Sequence, residues 1–302
     1  MELVYQSETE TTQFAAFQAG HATYHDAIEP PLGERLVPIS AHNNLIRHRV
    51  ILLPERAEEY ESVDRLVAEI QIYLSRYVDL SPAFFGIATY YILLSWVYDA
   101  FNEVPYLRLR GEPGSGKTRA LIVIGSLCYK GFLASGASTV SPIFHTLDTF
   151  RGTFIFDEAD FRFSDEKAEL VKIFNNGNVR GFPVLRTHIS AKREFDPQAF
   201  MVFGPKIVAM RHAFEDRALE SRFITEEMGQ RPMRPDIPIN LPDCQQTEAQ
   251  TLRNKLLLYR FHHLDKTAIN PDLIDPVSTA EQKSAIRRRK TRPSCYMPGG
   301  VA

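Results

Sequence analysis

Cysteine is scarce: Cys128, Cys244 and Cys295 are the three among 302 residues, widely spaced and in no C-x-x-C pair. That excludes a disulfide framework and a cysteine-ligated zinc site, and it fits a reducing compartment. Excess charge of either sign is missing too. A formal net charge of −2 gives no global attraction to nucleic acid, so such a partner has to be met through a local patch or a ring of subunits. The N-terminus is polar and acidic where a secretory signal needs a basic and then apolar start, and the expected location is cytoplasmic. No run reaches the ~18–20 apolar residues of a membrane span. The nearest, Ala83 to Val97, contains Thr89 and Ser95 and is followed by Asp99. It reads as a helix buried on all sides, and no membrane contact is expected.

What is present is 44% hydrophobic content, enough for one large core or two modest ones, and one sharp motif. Gly111-Glu112-Pro113-Gly114-Ser115-Gly116-Lys117-Thr118 fits G-x-x-x-x-G-K-[ST]. Its glycines let successive backbone N–H groups turn inward as an anion nest, Lys117 places a cation on the outer phosphates, and the Thr118 hydroxyl can ligate Mg²⁺. Val104 to Arg110 alternates as a strand and Arg119 to Tyr129 reads as a helix, which is the setting this loop requires. The expected nucleotide-binding set is Gly111, Glu112, Pro113, Gly114, Ser115, Gly116, Lys117, Thr118 and Arg119.

A second half-site follows. Gly152 to Phe156 is an apolar, β-rich run ending in Asp157-Glu158. A strand of this kind carries Asp157 to a Mg²⁺ shell, and Glu158 is suited to orient and deprotonate an attacking water. In α/β topology both motifs then sit at the carboxyl ends of parallel strands, facing one crevice.

The remaining signals are weaker. Residues 1–55 have no assignable role; His48 to Pro54 is a plausible strand, and His21 and His25 have a helical metal spacing without a third ligand. Two helices are expected over residues 56–103, Glu61 to Tyr77 and then Pro82 to about Phe101 with Ser81 as N-cap. Gly131 to Ser135 reads as a strand, Ser141 to about Leu147 as a helix, and Ser164-Asp165-Glu166 caps another helix ending at Asn175-Asn176-Gly177. Gly181 to Thr187 and Arg193 to Phe195 read as a hairpin with a basic tip at Lys192 and Arg193, either a grip on a phosphate backbone or a solvated turn. Phe200 to Met210 reads as the next core strand. Arg217 and Arg222 then stand on a short helix and its exit, as an arginine for a neighbouring subunit's site or as local ion pairs with Glu215, Asp216 or Glu220. A Pro-rich linker and a helix from Gln246 to His263 make up residues 231–265, with Arg253 and Arg260 as lid-arginine candidates. Residues 266–302, including Arg287 to Lys290, read as a basic tail.

With the P-loop, the Asp157-Glu158 strand and Ser221-Arg222-Phe223 in hand, the chain resembles the AAA+ class of P-loop ATPases. Leu219-Glu220-Ser221-Arg222-Phe223 is similar to the arginine-finger segment of Holliday-junction branch-migration motors. Tyr106 to Arg110, Asp157 to Phe161 and Phe203 to Lys206 are similar to ATPases in the replication modules of phages and integrated elements. The resemblance spans roughly residues 45–265. It implies an α/β, three-layer P-loop NTPase sheet at residues 104–230, with the Phe200–Met210 strand between the two motif strands, a helical lead-in and a short helical lid. It also implies ATP and Mg²⁺ as cofactors, a homo-oligomeric ring, a hexamer foremost, with Arg222 as the finger, and DNA as partner of a helicase or translocase. A loader or protein-remodelling ATPase and, less well matched, a small-molecule kinase are the alternatives. Where many relatives carry a polar sensor, this chain has Ala209 and Met210, which leaves Arg211 or a neighbour for that task.

Overall fold

A computed structural model describes residues 1–31, 33–157, 165–189 and 195–268. The chain opens with β1 (Glu2–Gln6), β2 (Thr11–Gln18) and β3 (His21–His25), an antiparallel three-stranded sheet. After α1 (Asn44–Arg47) and the short β4 (Ile51–Leu52) come α2 (Val63–Tyr77) and α3 (Pro82–Trp96). The central unit follows as β5 (Tyr106–Arg110), α4 (Lys117–Gly125), β6 (Gly131–Ser135), α5 (Val140–Phe150), β7 (Phe154–Asp157) and α6 (Asp165–Asn176). It continues with β8 (Val184–Ile189), β9 (Phe195–Phe200), β10 (Lys206–Met210), α7 (Arg217–Glu220) and β11 (Phe223–Glu227), and α8 (Cys244–His263) comes last.

The central sheet has the order β11-β5-β10-β7-β6-β4. All its neighbours run parallel except β4, which pairs antiparallel with β6. The strand between the two motif strands is β10, as expected. Alternation along each strand sorts the core onto two faces. Leu107, Leu109, Ile155, Ile207 and Ala209 face the cluster containing α2, α3, α4 and α8 residues, whereas Tyr106, Phe154, Phe156, Val208 and Met210 face the cluster of α5 and α6. The result is an α/β architecture with helices on both faces.

The helix α3 begins where the sequence places it, with Ser81 Oγ accepting from Phe84 N at 3.3 Å and Pro82 in the first turn, and it ends at Trp96, short of the expected Phe101. Its apolar circumference is explained by what surrounds it, since Trp96, Leu93 and Ile92 are all buried. No helix among the described residues is long and apolar enough to cross a membrane.

Residues 1–55, given no role from the sequence, hold a sheet tied to the core through the buried Glu2, whose carboxylate accepts from Arg260 Nε at 2.6 Å and lies 3.3 Å from Lys130 Nζ. Three expectations change. His21 and His25 stand on β3 and are exposed, so the helical spacing does not apply; no group of three metal-ligating residues occurs among the described residues. The Phe200–Met210 run is divided: Phe200 ends β9, and β10 begins only at Lys206. Gly204, at φ +149, turns the chain between them. Finally, α4 begins at Lys117 and ends at Gly125, because Gly116 in the left-handed region starts the helix directly from the loop. Residues 269–302, with the basic run Arg287 to Lys290, lie outside the described residues.

Candidate nucleotide site

The loop after β5 is shaped by its glycines. A Cβ on Gly111 would lie 2.6 Å from Met228 O and 2.8 Å from Ser115 Oγ, so the backbone just past β11 leaves no room for a side chain there. Gly114 and Gly116 have φ of +80 and +87, which only glycine adopts at little cost. Lys117 then opens α4, and its Nζ donates to Gly111 O at 2.6 Å and Glu112 O at 2.8 Å. The ammonium is thus folded back over the mouth of its own loop.

The next residue makes the connection between the two motifs. Thr118 Oγ1 donates to Asp157 Oδ2 at 2.8 Å, across a sequence separation of 39 residues. Asp157 ends β7 and Thr118 lies in the first turn of α4, so the parallel order of β5, β10 and β7 brings hydroxyl and carboxylate together at the carboxyl ends of the strands. A crevice of 370 Å³ opens beside them, lined by Pro113, Lys117, Thr118, Asp157 and Arg211. Arg211 follows directly on β10 and so occupies the position where a polar strand end was sought. Glu158 lies outside the described residues.

A second cavity of 540 Å³ lies along the loop's other side. Val78, Asp79 and Ser81 from the α2–α3 junction line it together with Arg119, Glu226 and Met228. From the sequence, that helical lead-in has no assigned part in the site. The missed signal is the partnership of Ser81 with the end of β11: Glu226 accepts from Ser81 N and Ser81 Oγ, each at 2.6 Å. The Pro-rich segment closes one side. Arg119 donates through both guanidinium ends to Pro238 O and Ile239 O, and Asp79 accepts from Arg231 Nη2 at 2.9 Å and from Arg234 N at 3.2 Å.

The remaining arginines are placed as follows. Arg217 is exposed at the start of α7, and Arg222 is half-buried at the entry to β11. Neither takes Glu220, whose carboxylate receives Arg108 Nη1 at 2.6 Å and is held below its ordinary value chiefly by that hydrogen bonding. Arg222 donates to Asn175 Oδ1 at the end of α6. Arg253 and Arg260 do not reach the loop. Arg253 Nη1 donates to Ser126 O at 2.7 Å, and Arg260 binds Glu2, Trp96 O and Asp99. Both guanidinium groups are buried in the packing of α8 against the core, which removes them as lid arginines.

The expected hairpin is present as β8 and β9, an antiparallel pair running from Val184↔Phe200 to Ile189↔Phe195. Its tip, with Lys192 and Arg193, lies outside the described residues. At its root Lys206 is fully buried, and its Nζ donates to Val202 O at 2.8 Å, Gly204 O at 3.0 Å and Gly177 O at 3.3 Å. Those carbonyls flank the hairpin on its entry and exit sides. Burial pushes the amine down to about 7.

The donor set suits a nucleoside triphosphate with Mg²⁺. A hydroxyl and a carboxylate are hard oxygen ligands, and Mg²⁺ typically takes one or two such groups and completes its shell with phosphate oxygens and water. The glycine conformations leave the loop backbone open to phosphate. No protein-family model matches the chain, and no curated protein matches it. Among solved structures, the A form apo structure of the NrS-1 C-terminal region is similar at a TM-score of 0.37 and 10% identity, over 86% of this chain and 65% of that one. The apo structure of the same region gives 0.39 and 11%, over 97% and 72%. The chain therefore spans just under two thirds of the first of these neighbours.

Proposed function

We propose that this chain is a Mg²⁺-dependent ATPase of the AAA+ type that acts as a motor on nucleic acid. The observation that carries the ATPase reading is the 2.8 Å hydrogen bond from Thr118 to Asp157. It joins the phosphate loop and the acidic strand in one crevice, where either motif alone would be an ordinary turn or strand end. The triphosphate lies along the loop, and the base and ribose extend into the 540 Å³ cavity beside Val78, Ser81 and Met228. On binding, Lys117 exchanges the carbonyls of Gly111 and Glu112 for phosphate oxygens. Bound Mg²⁺ supplies charge neutralisation next to Thr118 and Asp157. Glu158, the next residue in sequence, takes the proton from water.

The nucleic-acid part rests on the hairpin β8–β9, a two-stranded sheet lying between α6 and β10 in the chain, whose sequence at the tip is basic. Phosphate contacts made by Lys192 and Arg193 would be screened by salt. The test is an ATPase assay on the purified chain with and without Mg²⁺, single-stranded DNA, duplex DNA and RNA, across a salt titration. Lys117→Ala should abolish turnover. Hydrolysis unmoved by any nucleic acid at low salt would remove the motor reading and leave the ATPase.

A further inference from the structure

We propose that Asn175 is a positioning residue that aims Arg222 at a phosphate held by a second copy of this chain. The inference rests on the ATPase reading above. The two strands β11 and β5 run parallel in register from Phe223↔Tyr106 to Glu227↔Arg110. Arg222 therefore stands at the amino ends of these strands and the phosphate loop at their carboxyl ends. About five residues of strand separate them, roughly 16 Å, so Arg222 serves no phosphate on its own loop.

Its holder has the properties an aimed cation needs. Asn175 sits in the last turn of α6, and that turn is fixed from two core strands. Tyr106 Oη donates to Phe174 O at 3.0 Å, and Lys206 Nζ donates to Gly177 O at 3.3 Å. Among the described residues, the side-chain acceptor for Arg222 is a neutral amide oxygen. The neighbouring Arg108 and Arg110 are instead matched by the carboxylates of Glu220 and Glu227, which cancels their charge. An amide fixes one end of the guanidinium and leaves its charge available to an incoming phosphate.

The experiment measures steady-state ATPase of the full chain for wild type, Arg222→Ala, Asn175→Ala and the near-isosteric Asn175→Asp. Each variant is assayed alone and mixed with Lys117→Ala subunits, which lack a working loop but keep Arg222 and Asn175. Asn175→Ala is expected to lower kcat by about 10- to 100-fold, the cost of a small misplacement, with KM for ATP kept. Asn175→Asp, which neutralises Arg222, should fall at least as far. Both losses should be repaired in the mixture, because the intact pair then comes from the neighbour. A structural defect within one chain would not be repaired that way. Wild-type turnover in both Asn175 variants, or a loss that mixing leaves unrepaired, overturns the proposal while the ATPase reading stands. Wild-type turnover in Arg222→Ala overturns the trans arginine itself, and a wild-type chain that hydrolyses no ATP overturns both.

Discussion

Lys206 offers a quantitative check on how the sheet and hairpin are joined. Its amine is buried at 1% exposure, and burial pushes it from 10.5 to about 7. In the unfolded chain the same amine holds its proton up to its ordinary value. Between these values the unfolded state binds more protons, so stability rises with pH across the window and is lost as pH falls through it. The full 3.5-unit difference corresponds to about 5 kcal/mol. Between about pH 7 and pH 9 the linkage relation gives a gain of about 2 kcal/mol. Among the described residues, the other nearby shifted groups act at the edges of that interval: the Cys128 thiol, pushed by burial from 9.0 to about 12, counts against stability from about pH 9 upward, and His263 is shifted below 6.5, mainly by burial. Urea denaturation at a series of pH values in this interval, on wild type and on Lys206→Met, reads the effect as a slope. Wild type should gain stability and the variant should stay level. Equal slopes would mean that the carbonyls of Gly177, Val202 and Gly204 hold the ammonium without penalty, and the reasoning from burial would fail.

Three further outcomes follow from the site and the core. Glu158→Gln should bind ATP and fail to release it as product, which a filter-retention assay with labelled nucleotide detects; normal hydrolysis would remove Glu158 as the water-activating group. Thr118→Ala should raise the Mg²⁺ concentration needed for half-maximal turnover by about tenfold or more, since it removes the hydroxyl bonded to Asp157, and an unchanged requirement would count against the shared site. Burial raises the Glu2 carboxyl, but Lys130 and Arg260 overcome this and hold it at about 2, against an ordinary 4.5. Its contribution of about 3 kcal/mol is present above pH 4.5 and is lost as pH falls toward 2, so Glu2→Gln should flatten the acid side of a thermal-melt profile.

The parts of this architecture that were legible in the sequence are those whose physics is local. A glycine-rich loop between an alternating strand and a helix declares its own geometry, and β6 and β7 are apolar enough to be read singly. The N-terminal sheet was not legible because β2, Thr-Thr-Gln-Phe-Ala-Ala-Phe-Gln, mixes polar and small residues on both faces and gives no clean period. Lys206 stood inside a run read as one core strand, because nothing in a one-dimensional pattern announces three carbonyls gathered around an amine. The 540 Å³ cavity draws on the α2–α3 junction, the phosphate loop, β11 and the Pro-rich segment, and the Asn175–Arg222 contact joins residues 47 apart. Long-range meetings of polar groups of this kind leave no mark on spacing or composition.

The pairing of Glu2 with Arg260 spans 258 positions, and that span sets an order of events during synthesis. At about 5–20 residues per second, a ribosome needs on the order of 10–50 s between making the first partner and making the second. For the later part of that interval the Glu2 carboxylate has Lys130 beside it, while the Arg260 guanidinium that completes its pairing does not yet exist. The first strand's buried charge is thus fully matched only when α8 emerges.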